Sequence, residues 1–362
     1  MPIKKTADKI RVLYVLADMQ GCGWYRCMIP SFYLQMTGEF HAICAHELAM
    51  ADLYNYDIVI FQRHFEDKVK PLWDAAKMNN SVIIYETDDD FFNIRPSNPA
   101  NKFIHQKERY NVRDFLKKAD AIIVSTPFLR SRVQQEIKRT DNIYVIPNMI
   151  EIDDKFLQNR KWEYDKGVRI FYSGGPSHIE DFYEMQPCFE KLKDKYGDKI
   201  QFYFMGWAPD QIKNKEKLIN FIPWQTVQRG IQVMSSVQPH IGIVPLHENI
   251  FNRSKSNIKW LEYTISGAIT VASKIIPYEE CIEDGVDGIL IPDNKPNSWV
   301  DSISKLMDNT DLIKPMWDKA LNRLQDSQYN IRSSYQYTII DVIKNIYDKE
   351  MAKRIKKAAK VF

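Results

Sequence analysis

Short apolar runs rich in Val, Ile and Tyr recur along this chain, and longer segments of helical composition separate them. Ile10–Leu16, Ile58–Gln62, Val82–Tyr85, Ala121–Ser125 and Tyr144–Ile146 form a first series, with helical segments such as Tyr110–Lys118 and Pro127–Lys138 between them. Alternation of this kind predicts parallel sheets covered by helices, because a strand buried on both faces reads as a continuous apolar run. Val145-Ile146-Pro147-Asn148 closes the series, and the polar stretch Glu151–Gly167 carries no strand pattern and reads as a linker. A second series follows: Val168–Tyr172, Ile200–Met205, Ile219–Ile222, Ile241–Val244, Ile269–Ala272 and Gly288–Ile291. The expectation is an α/β chain of two doubly wound parallel-sheet domains, 1–150 and 168–334, joined by 151–167, with a terminal helix (335–362) packing back on the first. Ligands of such sheets bind outside the carboxyl ends of the strands, so functional residues are sought just after each run.

Composition narrows the class. With 362 residues, 44% hydrophobic and 12% aromatic, the chain can build two cores. A formal net charge of +3 does not by itself imply nucleic acid. The five cysteines, Cys22, Cys27, Cys44, Cys188 and Cys281, are scattered with no C-x-x-C pair, which suits a reducing, cytoplasmic setting better than a disulfide or zinc framework. The early apolar run Val12–Ala17 is too short for a signal peptide or a membrane span, and no other run approaches the roughly 18 residues a span needs.

The stretch Asn252–Glu262, NRSKSNIKWLE, carries the most chemistry. Lys255, Lys259 and Glu262 stand four and three apart, so on a helix they share one face. Ser254 and Ser256 can cap that helix and leave its first N–H groups free for an anion. Lysine at a helix start suits a diphosphate, and a carboxylate two turns on suits ribose hydroxyls.

Other loops at strand ends add candidates. Gly21-Cys22-Gly23-Trp24-Tyr25-Arg26 enters a helix without completing the G-x-G-x-x-G fingerprint, so it is either a phosphate-approaching loop or a plain strand-to-helix turn. Arg26 there, and Arg63 with His64 after Gln62, could meet an acceptor. Glu86-Thr87-Asp88-Asp89-Asp90 packs four carboxylates into five residues, which repel unless solvent or a cation compensates. These acids could bind a metal, orient an acceptor hydroxyl or support positive charge developing on a sugar, or they form a solvated turn capping the helix that follows. No His or Asn adjoins them and a lysine can neutralise a diphosphate, so no metal is expected. In the second half, Ser173-Gly174-Gly175-Pro176-Ser177-His178 makes a second phosphate-approaching loop, with Asp181 three residues beyond His178. Trp207 and Trp224 each follow a strand and are either nucleobase platforms or core. His247, Asn249 and Asn252 lie just before the lysine-bearing segment.

Together these segments, YSGGPSHIED, IGIVPL, FNRSKSNIKWLEY, SGAITVASKIIPYEECIEDGVDGILI and the earlier VIPNMIE, resemble the nucleotide-sugar glycosyltransferases of the GT-B fold, specifically family 4, the group 1 glycosyltransferases. The resemblance implies two Rossmann-like domains facing across a cleft, with the donor held by the second and the acceptor by the first. It implies a nucleoside-diphosphate sugar, a UDP-sugar foremost, as co-substrate, no tightly bound cofactor, no metal, and retention of anomeric configuration. Carried over, Glu262 holds the donor ribose, Lys255 neutralises the leaving diphosphate, Gly174 and Gly175 lie beneath the phosphates, and Gly21 and Gly23 face the donor. The donor set is then Gly21, Gly23, Ser173, Gly174, Gly175, His178, Asn252, Arg253, Lys255, Ser256 and Glu262. The acceptor set is Arg26, Arg63, Asp88 and Asp90, with Lys255, Asp88 and Asp89 carrying the chemistry.

The chain also departs from that pattern. The family's paired acids stand eight residues apart, and the partner of Glu262 is Ser254. The family's Arg and Lys after the first strand of the second domain are absent, which shifts phosphate charge onto Lys255 with Arg253 beside it. Asp88 and Asp89 stand where a His-Asp pair is common. The expected activity is hexosyl or pentosyl transfer to a hydroxyl of either a surface glycan or a modified DNA base, as in phage DNA glycosyltransferases; a phage origin would make the cytoplasm the host's. The alternatives are a nucleotide-sugar epimerase of the same shape and a non-catalytic nucleotide-sugar-binding module. Lys349, Lys353, Lys356, Lys357 and Lys360 on the terminal helix read either as a solvated face or as a contact with nucleic acid or a membrane surface.

Overall fold

A computed structural model describes residues 9–153, 157–213 and 218–359; Lys360 and Phe362 of the expected terminal helix lie outside the described residues. The chain divides into two compact units. The described residues of Met1–Phe92, Ile104–Asn148 and Ser333–Phe362 form one, and those of Asn93–Phe103 and Met149–Arg332 form the other.

The first unit is built on six parallel strands: β1 (Ile10–Val15), β2 (Phe40–Ala45), β3 (Ile58–Gln62), β4 (Val82–Thr87), β5 (Ala121–Val124) and β6 (Ile143–Val145), in the order β2-β1-β3-β4-β5-β6. Val12 of β1 stands between Ala42 and Ile58, which fixes the register at the point where the strand order reverses. Strands β3, β4 and β5 are buried along their whole length, which is why they read as unbroken apolar runs. β2 is an addition to the sequence reading. As the edge strand it alternates buried Phe40 and Ala42 with exposed His41 and Ile43, and so lacks the continuous apolar signal.

The helix Asp341–Ala358 belongs to this unit. Ile343, Ile346 and the Glu350 side chain are buried, and the Glu350 carboxylate accepts from Asn142 Nδ2 (3.2 Å) and Lys353 Nζ (2.7 Å). Lys344 pairs with Glu39, Lys349 donates to Asn142, and Arg354 binds the Ser81 carbonyl (3.0 Å) and Asp120 (3.2 Å). Much of the helix's positive charge therefore docks it to its own unit; Lys356 and Lys357 remain exposed.

The second unit repeats the architecture with β7 (Val168–Gly174), β8 (Ile200–Gly206), β9 (Ile219–Ile222), β10 (Ile241–Val244), β11 (Ile269–Ser273) and β12 (Gly288–Ile291), all parallel, in the order β12-β11-β10-β7-β8-β9. Phe182, Phe189, Phe202 and Phe204 fill its core on one side, joined by Tyr172. The described residues of the stretch expected to be a linker belong to this unit. Ile150 is buried and exchanges backbone hydrogen bonds with Tyr329 and Ile331 (2.9 and 3.0 Å). Arg160 stacks on Trp162 (4.1 Å) while donating to the carbonyls of Gly267 and Pro239. Its polar composition masked these contacts because the Arg160 guanidinium is spent on backbone carbonyls at the amino end of the sheet.

Tyr164 lies against His240, 4.6 Å between ring centroids, and His240 Nδ1 accepts the Arg169 backbone N–H (3.0 Å). Burial, then the neighbouring Arg169 and Arg160, push the His240 imidazole down to about 2, so it is neutral in the folded protein. The unfolded chain binds a proton near pH 6.5 that the folded chain refuses, so this group's contribution to stability is lost as pH falls below that value. We expect the unfolding free energy of the wild type to fall with acidification more steeply than that of His240→Asn, by up to about 1.4 kcal/mol per pH unit below pH 6.5. Denaturant titrations from pH 7 to pH 4 measure this; equal slopes would contradict it.

Candidate functional site

The residues singled out in the sequence separate into two groups, one in each unit, at the carboxyl ends of the strands. In the first unit the helical run beginning at Gly21 follows β1. Asp18 takes its amino end: Oδ1 accepts the N–H groups of Gln20 (2.8 Å) and Gly23 (3.3 Å). A Cβ at Gly23 would lie 1.9 Å from the Asp18 carbonyl oxygen, so this glycine is needed for chain packing. The protein's own carboxylate thus takes the Gly23 N–H, while the space beside Gly21 is open, a Cβ there meeting nothing within 4 Å.

The acidic turn after β4 is compensated by arginines. The Arg26 guanidinium is buried, 2.6 Å from Glu86, and donates to the Ile146 carbonyl (2.7 Å) and Asn148 Oδ1 (3.0 Å). Arg63 pairs with Asp88 (3.4 Å) and Asp89 (2.8 Å) and also donates to the Cys22 sulfur. Asp90 is buried, with Oδ1 accepting the Phe92 N–H (3.0 Å) and Arg132 at 3.5 Å. Arg26 and Asp90, expected as acceptor contacts, are buried with their polar groups engaged inside the protein. Asp88 and Asp89 remain part-exposed, but as partners of Arg63. His64 is buried against the Val15 carbonyl (3.2 Å).

In the second unit the strand order reverses between β7 and β10. These strands pair at Ile241–Ile170 and Gly242–Phe171, and then diverge. The Tyr263 hydroxyl fills the gap, accepting the Ser173 N–H and donating to the Ile243 carbonyl, both 3.2 Å. Gly242 makes room for the ring: a Cβ there would lie 2.2 Å from it. Tyr263 sits on the helix Ile258–Ile265, so this contact seats Lys259 and Glu262 beside the β7 loop. Lys259 Nζ donates to the Ser173 carbonyl, and burial lowers its ammonium to about 8. A Cβ at Gly174 would meet the Tyr172 hydroxyl at 2.3 Å and Lys259 Nζ at 3.3 Å, so only glycine fits above these groups.

The expected capping differs. Lys255 lies in the turn between helix Ile250–Arg253 and helix Ile258–Ile265, not on the helix with Lys259. Asn257 stands at the helix start and makes no side-chain cap, and the buried Ser254 hydroxyl donates to the Ile250 carbonyl (2.9 Å). Ser256 and Glu262 are half-buried, and Arg253 pairs with Glu248 (3.5 Å). Asn252 is buried, and its amide N–H groups go to Asp181 (2.8 Å) and the His247 carbonyl (2.9 Å), so it braces the loop instead of facing a donor.

Asp181 joins several of these pieces. Its Oδ2 is 2.7 Å from His178 Nδ1, and its Oδ1 accepts the His247 N–H (2.9 Å) as well as Asn252. His178 Nε2 lies 3.5 Å from Lys255 Nζ, and Lys255 also lies over the Phe251 ring (5.1 Å). The same loop is fixed from the other side by Ser273 and Asn294, which together bind the Leu246 N–H and carbonyl (both 2.8 Å). Trp207 packs edge-on against Phe182 in the core, whereas Trp224 is 53% exposed. The Trp224 ring lies over Gly206, whose φ of +90° no other residue adopts readily, and a Cβ there would lie 2.4 Å from the indole. A Cβ at Gly175 would touch the same ring at 3.6 Å. The result is two glycines and two lysines at the switch point of one sheet, with an exposed aromatic face reaching toward them from the end of the edge strand β9, an arrangement that suits a base joined to phosphates. Among the described residues no group of three or more His, Cys, Asp or Glu is placed to hold a metal ion, and no helix is long and apolar enough to cross a membrane.

Residues 176–309 match the family model described as "Glycosyl transferases group 1". No curated protein matches the chain. Among solved structures it is similar to Alr3699/HepE from Anabaena, solved with UDP and glucose (12% identity, TM-score 0.66, 93% of this chain and 100% of that one). It is also similar to sucrose-phosphate synthase from Thermosynechococcus elongatus (12% identity, TM-score 0.68, 96% and 100%). A third is an α-glucosyltransferase solved with UDP-glucose and DNA containing an abasic site (12% identity, TM-score 0.64, 93% and 100%). With the two parallel sheets, these likenesses establish the GT-B fold.

Removing the Tyr263 hydroxyl leaves the buried Ile243 carbonyl and the part-buried Ser173 N–H unpaired. We expect Tyr263→Phe to lower the stability of the second unit by about 1–3 kcal/mol in denaturant unfolding, and a change near zero would contradict the bridging role.

Proposed function

We propose that the second unit binds a nucleoside-diphosphate sugar, with UDP as its nucleotide, and that the protein transfers the sugar to an acceptor hydroxyl with retention. The observation that carries this is the part-exposed Lys255, held by the loop after β10 and close enough to Lys259 to lower that ammonium. Two cations from the Lys255–Lys259 segment stand in for the arginine and lysine absent from the β7 loop. Gly174 and Gly175 let phosphate oxygens approach the backbone, Trp224 gives the base a stacking face, and Glu262 meets the ribose. Charge building on the bridging oxygen as the diphosphate leaves is stabilised by cations already in position. The sugar is a hexose, the class the solved relatives carry as glucose.

A second reading, a hydroxylated DNA base as acceptor, draws on the likeness to the α-glucosyltransferase solved with DNA. The ion pairs that dock the terminal helix work against it, since they consume charge a phosphate backbone would need. The surface-glycan acceptor is therefore the reading preferred here. Steeply salt-dependent binding of duplex DNA would reverse that preference.

Lys255→Ala should bind uridine as the wild type does, bind UDP more weakly, and lose roughly 10²–10³ in turnover. Trp224→Ala should weaken uridine and UDP alike. Titration calorimetry and acceptor-dependent UDP release measure these outcomes. Wild-type turnover by Lys255→Ala would end the assignment, and epimerised sugar without acceptor would point to an isomerase.

A further inference from the structure

Lys255 carries a long, flexible side chain, and its ammonium can only donate hydrogen bonds. The nitrogen of His178 that faces it must therefore present a lone pair for the contact to be favourable. That nitrogen is Nε2, at 3.5 Å. The proton then sits on Nδ1, where Asp181 Oδ2 waits at 2.7 Å to accept it. The two ends of the imidazole agree on one tautomer. We propose that Asp181 is a positioning residue: it holds His178 as the Nδ1–H tautomer, so that Nε2 anchors one N–H of Lys255 and leaves the others aimed at the diphosphate. This inference rests on the reading of the site as a nucleoside-diphosphate site.

Three observations support the assignment. Asp181 and His178 are buried, so no solvent competes for their contacts. The second oxygen of Asp181 binds the His247 N–H and Asn252 Nδ2, which ties the imidazole to the loop that carries Lys255. The charged groups around His178 are Lys255, Lys259 and Asp181, and burial with Lys255 outweighs Asp181 to bring the imidazole down to about 4. A neutral ring with its lone pair engaged by Lys255 is an anchor for that cation and not a general base. Asp181 acts at one remove from the substrate, in the way a carboxylate orients a metal-bound or catalytic histidine.

The test has two readouts. In ¹⁵N-resolved histidine spectra of the full chain, assigned by loss of the signal in His178→Gln, wild-type His178 should show a protonated Nδ1 and a bare Nε2. UDP should shift the Nε2 resonance without changing the tautomer. In titrations, Asp181→Asn should bind UDP roughly tenfold more weakly while uridine affinity changes less than about twofold. An Nε2–H tautomer or an imidazolium at neutral pH in the wild type would overturn the inference. So would UDP affinity in a folded Asp181→Asn equal to that of the wild type. The tautomer measurement needs no Asp181 variant and decides the question if Asp181→Asn does not fold. Failure of the wild type to bind UDP, with the tautomer as described, would instead remove the nucleotide reading and leave the Asp181–His178–Lys255 geometry standing.

Discussion

The Tyr263 hydroxyl makes the contact on which the carboxyl end of the second unit's sheet is built. Parallel strands that part company at a switch point leave backbone donors and acceptors facing a gap, and burying them unpaired is costly. Here the orphan groups are the Ser173 N–H and the Ile243 carbonyl, and one phenol satisfies both. Because the phenol belongs to the helix Ile258–Ile265, closing the gap also sets that helix against the sheet. Gly242 is the complementary requirement, since any side chain there would meet the ring. Lys259 and Glu262 follow from this seating, as does the glycine at 174 that accommodates Lys259 and Tyr172.

The loop after β10 is fixed with equal care from two directions. Ser273 and Asn294 hold Leu246 at its start, and Asp181 holds His247 and Asn252 beyond it. Such a network is favourable only when its members are paired, and it holds the turn that carries Lys255. The first unit shows the contrasting arrangement. At its strand ends Arg26, Arg63 and Arg132 pair with the acids, and Asp18 accepts N–H groups at the amino end of the helical run. Two sheets of one topology class thus handle cations at their carboxyl ends differently: arginines pair with carboxylates in the first, whereas Lys255 and Lys259 of the second meet a histidine nitrogen and a backbone carbonyl.

Much of the fold was legible because doubly buried strands must be apolar along their length. β3, β4, β5 and β10 are such strands, whereas β2, half exposed at an edge, gave no comparable run. The stretch 151–167 misled for the opposite reason: its arginine and aromatic residues bind backbone carbonyls and one another, and composition alone cannot distinguish that from solvation. At the site, spacing placed Lys259 and Glu262 on one helix but set Lys255 there too, because the break at Ser254–Asn257 depends on the buried Ser254 hydroxyl and an uncapped Asn257. Arg26 carried no local sign of burial, since its partners Glu86 and Asn148 are distant in sequence. Asp181 was visible only as a neighbour of His178. Its further bonds to His247 and Asn252 cross from one strand-end loop to another, and no periodicity announces them.

The position of a bound nucleotide in the second unit is the decisive observation. A crystal structure of the protein with UDP would settle it most directly. The account predicts uracil stacked on Trp224, the diphosphate between Gly174-Gly175 and the Lys255 ammonium, and ribose hydroxyls at Glu262. UDP bound away from Lys255, or with Trp224 and the glycine pair untouched, would contradict it.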